Sequence, residues 1–68
     1  MDSLQEQRKR VGLKQSDVAK KLGVSETAIS NYEKGKRIPP IHILIPYAEI
    51  LDIYVEDLIE LIIVGQAK

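Results

Sequence analysis

The chain has no cysteine, no tryptophan and no phenylalanine, and it holds a single histidine. Without cysteine, neither a disulfide nor a thiolate metal site can brace the fold. His42 alone cannot build a histidine metal cluster. Flanked by Ile41 and Ile43 with no acid or nucleophile beside it, it reads as a loop or helix-edge residue rather than a catalytic one. Long apolar runs are missing too: none approaches the roughly 20 residues that span a bilayer, and no charged-then-apolar leader opens the chain. A soluble, cytoplasmic protein is expected, with no enzyme activity, cofactor, metal or membrane partner. Sixty-eight residues suffice for one small domain, residues 1–68, whose core is too small for great stability by itself. There are no internal repeats and no low-complexity stretches.

Net charge is absent as well, at zero overall, but the balance hides an asymmetry. Residues 1–37 carry nine Lys/Arg against five Asp/Glu, and residues 38–68 carry one against five. A basic half and an acidic half suggest an anionic partner on one side. In so short a chain, chance is the alternative.

What is present reads as helix. In "DSLQEQRKRVG", Ser3 followed three residues later by Glu6 is a capping box, and Gly12 is placed to end the helix. Leu4, Arg8 and Val11 share one face of it, a stripe that is apolar except for Arg8. "KQSDVAKKLG" forms a second helix with Val18, Ala19 and Leu22 inward and Gly23 closing it, although Lys14 is a poor N-cap. Ser25 caps a third, "SETAISNYEKG", which turns Ala28, Ile29 and Tyr32 inward and ends at Gly35. Its other face carries Glu26, Thr27, Ser30 and Asn31, where an ordinary solvent face would carry Lys, Glu, Gln and Arg. "KGKRIPP" is a loop with Lys36 and Arg37 at its tip.

The second half is less plainly patterned. Ile41, Ile43 and Ile45 alternate as in a strand, but Pro46 argues against a central strand and against a helix interior. The reading is an irregular or loosely helical lead-in, then a helix with Pro46 near its first turn that runs to about Leu51. A last helix starts near Val55 and stops at Gly65, with Val55, Leu58, Ile59, Ile62 and Ile63 as its core stripe. Leu61 and Val64 fall outside that stripe.

Two short helices joined at a glycine, the second capped by serine, make a helix-turn-helix pattern. "GLKQSDVAKKLGVSETAISNYEKGKRIP" resembles the phage Cro and repressor type of helix-turn-helix domain, the XRE-like family, and "YAEILDIYVEDLI" resembles its fourth and fifth helices. The likeness covers roughly residues 4 to 62. It implies an all-α, five-helix, lambda-repressor-like fold with the helix-turn-helix at about residues 15–34, and binding to operator DNA as a dimer. Three positions depart from the family's habit: Lys14 where serine is common, Asp52 where glycine commonly ends the fourth helix, and Pro46 where that helix usually continues.

The resemblance also supplies a partner for Arg8. An unpaired guanidinium on a core-facing stripe is very costly, and the matching arginine of the family pairs with the glutamate before the loop glycine, here Glu33. The bland alternative is that Arg8 snorkels to solvent over Leu4. A helix in the major groove must reach base edges with donors and acceptors on short side chains. Glu26 can accept from a cytosine amino group and Asn31 can pair with adenine, while Thr27 and Ser30 suit bases or phosphates. In the family, the positions of Glu26, Thr27 and Ser30 commonly read bases, with Asn31 flanking them. The matching glutamine of Gln15 holds a phosphate and braces the recognition helix. Lys36 and Arg37 suit phosphates, with Lys34 and Lys14 as weaker candidates of the same kind. Each of these residues has a plainer reading as a cap or a solvated surface group.

One helix-turn-helix reads few base pairs, so such proteins pair to bind two half-sites. The segment of about residues 43–64 is read as carrying the dimer contact, through Leu61 and Val64; packing beneath "IHILI" in the same chain is the alternative. The function expected is a sequence-specific regulator of double-stranded DNA, a repressor of bacterial, phage or mobile-element origin. The rivals are a protein-interaction module and an antitoxin-like protein whose "LIIVG" end contacts another protein. An interaction module would place an apolar patch on the outer face of the third helix, and the sequence places none there.

Overall fold

Ser3 caps the first helix: its Oγ accepts the Glu6 N–H at 3.1 Å. The computed structural model describes residues 3–66, in which five helices follow one another: α1 (Leu4–Arg10), α2 (Gln15–Leu22), α3 (Glu26–Glu33), α4 (Ile41–Ile50) and α5 (Val55–Gln66). No strand occurs among the described residues. Ser25 repeats the capping geometry at α3, its Oγ accepting the Ala28 N–H at 3.0 Å. At α2 the cap runs in reverse. Lys14 has no acceptor to offer, and instead the Asp17 carboxylate accepts the Lys14 N–H at 2.9 Å, half of a capping box.

The turn between α2 and α3 is set by Gly23, at φ +70°, with the Val24 N–H bonded to the Ala19 carbonyl at 3.0 Å. This is a Schellman ending, which requires a left-handed residue and so favours glycine. The end of α4 has the same form without glycine. Asp52 takes φ +58°, and the Ile53 N–H reaches the Ala48 carbonyl at 3.0 Å. A short polar side chain is among the few that tolerate that conformation.

Val18, Ile29, Tyr47, Leu51 and Leu58 are fully buried, one or more from each of α2 to α5, and Leu4 joins them from α1. The Tyr32 and Tyr47 rings meet at 6.1 Å between centroids, tilted by 47°, and tie α3 to α4. Gln7 closes the other side of α1: its Nε2 donates to the Leu51 carbonyl at 2.9 Å in the buried interior.

The second half departs from the sequence reading in two places. α4 begins at Ile41 rather than near Pro46, so Pro46 lies inside the helix. Its ring removes the hydrogen bond to the His42 carbonyl, but His42 is exposed and water can take that bond. The Ile alternation is therefore helical, with Ile43 buried and Ile41 and Ile45 outside. α5 runs through Gly65 to Gln66, and its buried face is turned from the expected one. Leu58, Leu61 and Ile62 are buried, whereas Ile59 and Ile63 are exposed. α5 packs against α1 and α3 as well as α4, and those extra neighbours draw the Leu61 side inward. Leu61, expected at a dimer interface, is 4% exposed and belongs to the core of its own chain. Val64 is half-exposed.

Burial pushes the Tyr47 phenol well above its ordinary value of 10.0, and the nearby Glu33 charge adds to the effect. A raised folded-state pKa means that the native state keeps this proton while the unfolded chain begins to lose it near pH 10. Stability from this group is therefore complete below about pH 10 and falls above it, by about 1.4 kcal/mol per pH unit. Urea midpoints at pH 9 and pH 11 should separate further in the wild type than in Tyr47→Phe. Equal falls in both proteins would rule Tyr47 out as a source of alkaline instability.

Candidate nucleic-acid interface

α3 divides into two faces. Ile29 and Tyr32 are buried and Ala28 is half-buried, while Glu26 and Thr27 are exposed and Ser30 and Asn31 partly so on the opposite side. Among the described residues, none of those four outer side chains is engaged in a hydrogen bond. Their donors and acceptors point away from the fold.

The base of α3 is held by a buried ion pair. Arg8 Nε donates to Glu33 Oε2 at 2.6 Å, with the two side chains only 8% and 4% exposed. Arg8 Nη2 reaches Glu33 Oε1 at 3.3 Å, and Nη1 donates to the Leu13 carbonyl at 2.8 Å. Gln15, the first residue of α2, adds a bond from its Nε2 to Glu33 Oε1 at 3.0 Å. Glu33 thus binds α1, α2 and α3 together, and both of its oxygens are taken. A paired, hydrogen-bonded charge of this kind is what a low-dielectric interior tolerates.

The same contact sets the charges around α3. Because Gln15 meets Glu33, Lys14 and the start of α2 lie beside the C-terminal end of α3. Lys34 is exposed at that end, and Lys36 and Arg37 are exposed in the loop that follows. The loop is not slack. Gly35 turns at φ +74°, and the Asn31 carbonyl accepts the N–H groups of both Lys36 and Arg37, at 2.9 and 3.3 Å. The backbone of both residues is therefore anchored to the end of α3.

Glu26, Thr27, Ser30 and Asn31 are brought onto one face, and Lys14, Gln15, Lys34, Lys36 and Arg37 gather around one end of it. Leu61 does not join any surface. Three residues that hold the helices in place escape the sequence reading: Gln7, which ties α1 to the end of α4, Asp17, which caps α2, and Tyr47, which meets Tyr32 of α3. Asp17 stands three residues after Lys14, and that spacing was the signal for the reversed cap; Gln7 stands three after Leu4, on the buried side.

A polar outer face thus lies on the second of two helices joined by a three-residue turn. A family model described as helix-turn-helix matches residues 4–58. The chain belongs to the XRE kind of helix-turn-helix proteins. Comparison with curated proteins and with solved structures finds no match. As a helix-turn-helix protein of this kind the chain is a DNA-binding regulator, from a family of regulatory domains rather than enzymes. α2 and α3 are its helix-turn-helix, and no helix among the described residues is long and apolar enough to cross a membrane.

Proposed function

We infer that this helix-turn-helix protein is a sequence-specific repressor that binds double-stranded DNA as a homodimer on an inverted-repeat operator. The observation that carries the reading is the outer face of α3, four short polar side chains left without partners inside the fold and flanked by cations on a backbone-anchored loop. Glu26, Thr27, Ser30 and Asn31 would read base edges in the major groove, since bidentate and short-range contacts there distinguish all four base pairs. Lys36 and Arg37, with Lys34, Lys14 and the free donor of Gln15, would hold phosphates and fix the register without reading sequence. Repression needs only occupancy, which a reading face and a phosphate clamp can supply. Pairing follows from the small footprint of a single α3 and from apolar side chains that the chain leaves uncovered on α4 and α5.

The test is binding to duplex DNA across a salt series. Each neutralised phosphate adds about 0.9 to the slope of log affinity against log salt, so a steep slope is expected. Lys36→Ala should weaken binding evenly on all sequences and lower the slope by about one. A loss confined to particular sequences would remove Lys36 from the phosphate contacts. Binding that ignores salt would count against the whole surface.

A further inference from the structure

Two apolar strips stand uncovered on neighbouring helices. On α4, Ile41 and Ile45 lie one turn apart with Ile38 just ahead of the helix, and the three are 81%, 62% and 64% exposed. On α5, Ile59 and Ile63 lie one turn apart, with Val64 beside them. Single exposed apolar residues are ordinary, but these form two strips, and α4 and α5 pack on each other.

The charges around the strips are opposite. Exposed Glu56 and Glu60 share the outer face of α5 with Ile59 and Ile63. The α4 strip follows Lys36 and Arg37, and meets no acid until Glu49, one turn past Ile45. After Arg37 the described residues contain no Lys or Arg, so α5 has no cation of its own half to offset Glu56 and Glu60. Laying α5 on a second α5 would bring two pairs of carboxylates together, whereas the α4 strip offers one acid, Glu49, and that only past its far end. Like charges facing each other across an interface oppose its formation. Crossing the strips avoids that conflict. It also covers four strips instead of two, nearer to the about 800 Å² per partner that a stable interface buries.

We propose that two copies of this chain pair through a crossed seam, the Ile38–Ile41–Ile45 strip of each against the acid-rimmed Ile59–Ile63 strip of the other. The seam rests on the homodimer reading above and specifies its contact. A two-fold axis makes the contact twice.

The experiment is sedimentation equilibrium on the full chain and on two surface variants, Ile45→Lys and Ile63→Glu, with far-ultraviolet circular dichroism to confirm that each folds. If Ile45→Lys fails to fold, Ile41→Lys takes its place. Each variant alone should dissociate at least tenfold more readily than the wild type. An equimolar mixture should pair again, because one contact then sets the new lysine against the new glutamate and the other is unaltered. A dimeric wild type whose pairing ignores Ile45→Lys, or variants that do not rescue each other, would overturn the crossed seam and leave the homodimer standing. A wild type that stays monomeric in solution and on DNA would remove the homodimer and the seam together.

Discussion

Alanine at Glu26, Thr27, Ser30 and Asn31 together should give a folded protein that binds DNA without sequence preference. The four side chains make no hydrogen bonds within the described fold, and alanine is the better helix former at every one of these positions. Stability should hold or rise slightly. The phosphate contacts would remain, because Lys36 and Arg37 are placed by the backbone carbonyl of Asn31 and not by its side chain. What disappears is discrimination, the factor of about 10³ to 10⁷ that separates specific from non-specific binding in such proteins. Competition between a preferred duplex and a scrambled one measures it directly. The variant should bind both with the affinity and salt slope that the wild type shows on the scrambled duplex. Retained preference would place the reading elsewhere.

Glu33→Ala is expected to be the most destabilising polar substitution in the chain, by about 3–5 kcal/mol. It leaves the Arg8 guanidinium buried without a counter-charge, and it strips Gln15 of the acceptor that holds α2 to the end of α3. A domain of this size has only a few kcal/mol in reserve, so the variant should be largely unfolded at 37 °C. Arg8→Ala should approach the same loss, since it abandons Glu33 and the Leu13 carbonyl together. Replacing both charges, as Arg8→Met with Glu33→Leu, should cost less than Glu33→Ala alone, because a buried ion pair contributes little net stability once its desolvation is counted. Chemical denaturation of the wild type, Arg8→Met, Glu33→Leu and the protein with both closes a double-mutant cycle. Additive losses would mean that the two side chains act independently, against the geometry seen here.

The first half of the chain was legible because its signals are local. Ser3 and Ser25 cap the helices they precede, Gly23 turns where the spacing requires, and the inward face of α3 follows directly from Ala28, Ile29 and Tyr32. Arg8 announced that it needed a partner by sitting on an apolar stripe. Helical periodicity could not say which residue that partner was, since Glu33 is 25 positions away; only the family resemblance pointed to it. The second half misled because its helices carry more apolar residues than one face can bury. With Ile, Leu or Val at seven of the twelve positions of α5, the periodicity does not single out one face, and packing against α1 and α3 decided for Leu58, Leu61 and Ile62. That is why Leu61 was read as an interface residue and Ile59 and Ile63 as core. Pro46 misled for a different reason. A missing N–H is tolerated in a helix when water can reach the orphaned carbonyl; His42, four residues before Pro46, lies on the exposed side of α4, which the sequence alone does not show.

The central claim is that the outer face of α3 reads DNA sequence for a two-fold dimer, and selection of bound duplexes from a random library at near-physiological salt tests it most directly. The account predicts enrichment of an inverted repeat whose half-site centres lie about one helical turn, 34–36 Å, apart. A folded protein that enriches no sequence would contradict it.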